Sequence, residues 1–137
     1  MTKVGFTGTQ NGMTDDQKAM VKHLLLIIEG CEFHHGDCIG SDAESAAMAK
    51  ELGYTVMSHP PTNNSKRAYF NSDYEELPKA YLARNHDIVE ETEILIATPM
   101  TAEKQLRSGT WSTIRYAQKR SRKLVIVLPN GDITDAI

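Results

Sequence analysis

The stretch FHHGDCIGSD, residues 33–42, crowds two histidines, two carboxylates, a thiol and a hydroxyl between glycines. Three chemistries use such residues. A metal ion takes His, Cys and Asp ligands. A carboxylate stabilises an oxocarbenium-like centre or orients water, as in the cleavage of glycosidic bonds. A glycine-bearing turn ahead of a helix offers free backbone N–H groups to a phosphate. Spacing bears on the choice. His34 and His35 are adjacent, so on a strand they point to opposite faces and do not enter one site together. His35 is expected at the ligand edge and His34 packed, unless both are structural histidines held by hydrogen bonds. A metal reading draws on His35, Asp37, Cys38 and His59, a mixed set without a recognised ligand spacing, and no metal is expected. The phosphate reading fits Gly36, Asp37, Gly40 and Ser41 best. Asp42 then either meets the positive end of its helix, binds a ribose hydroxyl, or joins the chemistry.

Two further stretches have the same character. TGTQNG (7–12) offers Gly8, Thr9 and Gln10, and ATPMTAEKQLRSGT (97–110) offers Ser108, Gly109 and Thr110. Neither is G-x-G-x-x-G or G-x-x-x-x-G-K-[ST], so each alone is a weak signal. Glu103 precedes Ser108 and is a third candidate carboxylate beside Asp37 and Asp42. Arg67 and Arg84 are candidate partners for an anion, and Tyr69 and Phe70 either stack on a base or anchor their loop. Trp111, Ile114 and Ala117 share a helical face, which points to core packing or an interface between copies.

The surrounding pattern must position these loops. KVGFTG (3–8) reads as a buried strand. Thr14 suits an N-cap, and Val21, Leu24, Leu25 and Ile28 form the apolar stripe of a helix that Gly30 stops. CEFHH (31–35) is a second strand. Ser41 and Glu44 have the spacing of a capping box, opening a helix rich in alanine. YTVMSHPP (54–61) is a third strand. Residues 60–78 keep no period, which suits a functional loop or lid. A helix follows to about residue 91, then the strand EILIATP (93–99), a helix capped by Ser108, and the strand KLVIVLP (123–129). This alternation predicts an α/β fold. Its form is a single Rossmann-like three-layer domain over residues 1–137 with a mainly parallel five-stranded sheet in the order 3-2-1-4-5. The three loops then meet at the carboxyl edge, near the switch in strand order, where ligands bind in such sheets.

Bulk properties narrow the partners. The net charge of −3 gives no electrostatic case for nucleic acid or an anionic membrane. The run KRSRK (119–123) reads as a solvated helix end. Two cysteines are too few for a disulfide scaffold. MTKVGFTG enters a strand without a signal-like apolar region, and no stretch is long enough to span a bilayer, so a cytoplasmic setting is expected.

Four segments together carry a family resemblance over roughly residues 3–129: GFTGTQNGMT, HHGDCIGSDAESAAMAKELG, YLARNHDIVEETEILIATP and RSGTWSTIRYAQK. They resemble the SLOG superfamily, the Rossmann-like domains related to the DNA-processing protein DprA and to the LONELY GUY phosphoribohydrolases. GDCIGSDAESAA is similar to the DprA-type glycine turn, and RSGTWSTI to the second half of the P-G-G-x-G-T-x-x-E motif. The resemblance implies a nucleotide or nucleotide-derived ligand with phosphate on Ser108, Gly109 and Thr110. It also implies that Arg84 points into the site, and that copies of the chain associate. Thr113 stands where that motif has its catalytic glutamate, and Gln10 where small SLOG sequences tend to have arginine. The expected function is therefore binding of a small nucleotide-type molecule as a sensor, carrier or sink, with no other cofactor required. The alternative is an N-glycoside hydrolase or transferase acting on nucleotides through Asp37, Asp42 or Glu103. A DNA-processing accessory role is disfavoured by charge.

Overall fold

A computed structural model describes residues 2–135. The chain runs β1 (Lys3–Gly8), α1 (Asp15–Ile28), β2 (Glu32–His35), α2 (Ser41–Glu51), β3 (Thr55–Ser58) and, after a 3-10 turn at Asn64–Lys66, β4 (Tyr74–Glu75). It continues through α3 (Tyr81–Glu90), β5 (Ile94–Thr98), α4 (Gly109–Lys119), β6 (Lys123–Val127) and β7 (Ile133–Thr134). The sheet has the order β4-β3-β2-β1-β5-β6-β7. All its pairs are parallel except β6 with β7. The five central strands have the expected order. Among the described residues the sheet nevertheless has seven strands, because two-residue strands flank the central five, β4 beside β3 and β7 beside β6.

Two apolar layers sandwich the sheet. Val21, Leu24 and Leu25 of α1 and Ala46 and Ala49 of α2 pack with Val4, Phe6, Phe33, Val56 and Ile96 on one face. Ile88 and Val89 of α3 and Trp111, Ile114 and Ala117 of α4 pack with Leu95, Ala97 and Ile126 on the other. The small residues of α2 let it lie close to the strands. Each fully buried Leu, Ile or Phe contributes about 1.5–3 kcal/mol relative to exposure.

The helix starts show how local rules and tertiary contacts divide the work. Thr14 caps α1 with a complete capping box, its Oγ1 accepting from Gln17 N and its own N–H donating to Gln17 Oε1, both at 3.0 Å. Gln17 also donates through Nε2 to the carbonyls of Pro99 and Val127, at 2.9 Å each, so the helix start is tied to the ends of β5 and β6. The Ser41–Glu44 capping box is not formed. Gly40 is the N-cap and has no side chain, Ser41 Oγ donates instead to Thr9 O at 2.6 Å, and Glu44 accepts from Met13 N at 2.8 Å. At the end of α1 the left-handed residue is Glu29, with φ of 52°, rather than Gly30. Gly30 serves contact: a Cβ there would lie 2.6 Å from the Tyr54 ring.

Residues 60–78 buttress the sheet edge. Arg67 pairs with Asp37, Ala68 N donates to Asp37 O at 2.8 Å, and Asp73 accepts from Val56 N at 2.8 Å. Phe70 packs against the core and meets His35 edge-on, while Tyr69 is exposed with the Arg67 guanidinium 4.4 Å from its ring centre. No residue of this segment lines the cleft described next.

Candidate functional site

A cleft of about 410 Å³ opens at the carboxyl edge of the sheet, between the loops that leave β1 and β5. These two strands flank the point where the strand order reverses. Gly8, Thr9 and Gln10 form one wall, Gly36, Asp42 and Arg84 the floor, and Ser108, Gly109 and Thr110 the opposite wall. Of the other residues expected at the site, His35, Asp37, Gly40, Ser41, Arg67 and Glu103 do not line it.

Glycines allow this convergence. A Cβ on Gly8 would press on Thr98 Oγ1 and on Ser41 Cβ. Gly40, at φ of +83°, lies against the carbonyl of Gln10. A Cβ on Gly36 would sit 2.6 Å from Arg84 Nη1. The loop after β1 and the start of α2 thus meet backbone to backbone.

Arg84 is buried and closely held. Nη1 donates to the carbonyls of Gly36 and His59, Nε to Asn85 Oδ1 and Nη2 to Cys38 Sγ at 3.3 Å. A guanidinium has five N–H groups, so one on Nη2 has no hydrogen-bond partner among the described residues. Arg107, which the sequence reading passed over, lines the cleft, is exposed and has no ion-pair partner among the described residues. No motif marks it, since its place depends on the fold of the loop 99–108.

The three carboxylates separate clearly. Asp37 is fully buried and committed: Oδ2 accepts from Arg67 Nε at 2.8 Å and Oδ1 from Phe70 N at 2.9 Å. Glu103 is exposed and outside the cleft. Asp42 is buried at the floor, with Oδ2 accepting from Gly36 N at 3.1 Å and Cys38 N at 3.2 Å. Its Oδ1 has no hydrogen-bond partner among the described residues. Burial raises its pKa to about 6, against the pull of Arg84 and the two N–H donors. Burial also pushes the Cys38 thiol up, with Asp42 adding to it, which argues against a thiolate nucleophile.

The far wall is a helix start. Ser108 Oγ accepts from Trp111 N at 3.3 Å, and the amides of the first turn of α4 lie beside the cleft. A Cβ on Gly109 would meet nothing within 4 Å, so this position is open. Tyr81, Leu82 and Met100 give the rim an apolar side, and Asn11 and Gln105 add amides. Asn11 Nδ2 donates to Met100 Sδ at 2.8 Å, joining the two loops across the mouth.

His35 faces the other way. It contacts Ser58, Ser72 and Asp37 N, and burial holds its pKa near about 3, so it is a neutral structural group. The mixed set His35, Asp37, Cys38 and His59 does not gather. The histidine and carboxylate atoms that do gather, among the described residues, belong to His34, His59 and Glu91.

No family model matches the chain, and no curated protein matches it in sequence. Solved structures do match in fold. The molybdenum cofactor binding protein of Rippkaea orientalis superposes with a TM-score of 0.70 at 16% identity, over 91% of this chain and 75% of that one. The structural-genomics target TM1055 gives 0.67 at 16% identity, over 90% and 72%. The molybdenum cofactor carrier protein of Chlamydomonas reinhardtii gives 0.64 at 19% identity, over 91% and 75%. The chain shares their Rossmann-like α/β fold. No helix among the described residues is long and apolar enough to cross a membrane.

Proposed function

We propose that the chain is a SLOG-type domain whose cleft binds a nucleotide or nucleotide-derived small molecule and returns it unchanged, as a sensor, carrier or sink. The observation that carries this reading is the mixed lining of the cleft. The first-turn amides of α4, the Ser108 hydroxyl and Arg107 suit an anion. Tyr81, Leu82 and Met100, which line the same cleft, suit a flat ring, with Asn11 and Gln105 to bond its edge. Helix N-termini bind phosphate through free N–H groups and the helix dipole, without a basic loop. Two of the fold neighbours are named for binding or carrying the molybdenum cofactor, which supports a carrier of a small molecule.

Asp42 supports a second reading, hydrolysis or transfer at an N-glycosidic bond. It is the one candidate carboxylate at the cleft, and a pKa of about 6 suits proton transfer near neutral pH. Thr113 supports the first reading, since it replaces the motif glutamate and spends its hydroxyl on Gly109 O at 2.9 Å.

Gly109→Asp tests the site. The new side chain has room, and an acid in the first helical turn favours the helix, so the variant folds. Its charge repels a phosphate by about 4 kcal/mol at 4 Å and the effective dielectric of a protein surface. Nucleotide affinity measured by calorimetry falls on the order of 100-fold or more. Unchanged affinity in the folded variant contradicts the assignment. Mass spectrometry of the incubated ligand separates the two readings: an intact nucleotide means binding, whereas free base that disappears with Asp42→Asn means turnover.

A further inference from the structure

We propose that His34, His59 and Glu91 form a binding site for a divalent transition-metal ion of the zinc class, on the α3 face of the sheet. One ligand atom from each residue lies within 4.8 Å of the others. None of the three lines the cleft. They come from separate elements: the middle of β2, the residue after β3, and the C-cap of α3. Pairing of β2 with β3 explains the first two. His34 stands opposite Met57, and His59 lies two residues beyond Met57, on the same face of the sheet.

The histidines are arranged as ligands. His34 Nδ1 and His59 Nε2 face each other at 2.8 Å, and both rings are 2% exposed. His34 Nε2 meets Glu32 Oε1 at 2.8 Å. That carboxylate holds the ring proton on Nε2 and leaves the Nδ1 lone pair free, the carboxylate–histidine support common behind metal ligands. Without an ion, His59 Nε2–H donates to that lone pair. With an ion, the His59 proton sits on Nδ1 and both lone pairs aim at one point. Zinc–nitrogen bonds of about 2.0–2.1 Å in a tetrahedron need the two nitrogens about 3.4 Å apart, a small parting of the rings. Glu91 is exposed and supplies the third ligand and the route in from solvent. Glu76 and Asp87 add negative charge around it, with Lys79 the opposing cation. Two imidazoles and a carboxylate suit zinc, and leave a fourth position for water. His59 O also accepts from Arg84 Nη1 at 3.1 Å, so the site abuts the floor of the cleft through one hydrogen bond.

The test is titration of the chelator-stripped full chain with Zn²⁺ by calorimetry, and with Co²⁺ by visible absorption. One equivalent binds, and the cobalt spectrum shows tetrahedral ligand-field bands without a sulfur charge-transfer band, which excludes Cys31 and Cys38. His59→Asn abolishes saturable binding. Glu91→Gln, at an exposed position that leaves folding intact, weakens it at least about 10-fold, and Glu32→Gln weakens it about 10–100-fold through His34. Absence of stoichiometric binding, or wild-type affinity in Glu91→Gln, overturns the proposal and leaves His34 and His59 a plain hydrogen-bonded pair.

Discussion

Burial at the N-terminus of α2 raises the Asp42 carboxyl to about 6, although Arg84 and two backbone N–H groups pull the other way. Ionisation therefore costs more in the folded chain than in the unfolded one. The stability tied to Asp42 is full below about pH 4 and is lost as pH rises through about 6. Asp42→Asn removes this dependence. It keeps both hydrogen bonds, since a single oxygen accepts from Gly36 N and Cys38 N. The variant's stability minus that of the wild type should rise with pH, on the order of 3 kcal/mol between pH 4 and 7, in urea denaturation. His35 and His59, each held near about 3 chiefly by burial, titrate in the opposite sense but are common to both proteins. A flat difference would contradict the burial argument. The residue types of FHHGDCIGSD marked this region in the sequence, but only packing separates Asp42 at the cleft from Asp37 locked to Arg67.

At the scale of elements, the helix starts divide into those set by nearby residues and those set by the fold. Thr14 and Ser108 were readable as caps because their partners, Gln17 and Trp111, lie three residues on. Ser41 misled because its hydroxyl goes to Thr9, 32 residues away, where the backbone of the β1 loop approaches Gly40. Thr14→Ala should cost about 0.5–2 kcal/mol of stability, measured by denaturant midpoint, from loss of the capping bond. It also removes the 2.6 Å bond from Thr14 Oγ1 to Pro129 O. Ligand affinity should stay at the wild-type value, since Thr14 does not line the cleft. A stability change with no cost at all would mean that Gln17 alone holds the start of α1.

Across the whole molecule, the regular alternation of strand and helix was enough to set the central order of the sheet and to bring three of its loops to the carboxyl edge where the cleft opens. The edge strands β4 and β7 were not readable, since two residues carry no period and exist only through pairing with β3 and β6. Arg107 was not readable because the irregular loop 99–108 decides its position. The His34, His59 and Glu91 cluster was hidden for a similar reason, being assembled from residues 25 and 32 positions apart that meet only across two strands and a helix. What the fold achieves is a switch point where the loop after β1 is held to the start of α2 by backbone contact and to the loop after β5 through Asn11 and Met100, leaving the start of α4 open. The central claim is that a nucleotide-type ligand sits there. Nuclear magnetic resonance titration of the labelled chain with a panel of nucleoside monophosphates tests it most directly, because the same sample reports the site of binding and the fate of the ligand. The account predicts saturable shifts at the amides of Gly8–Asn11 and Ser108–Trp111, with the ligand spectrum unchanged over time. No saturation by any member of the panel, or shifts that map away from these two loops, would contradict it.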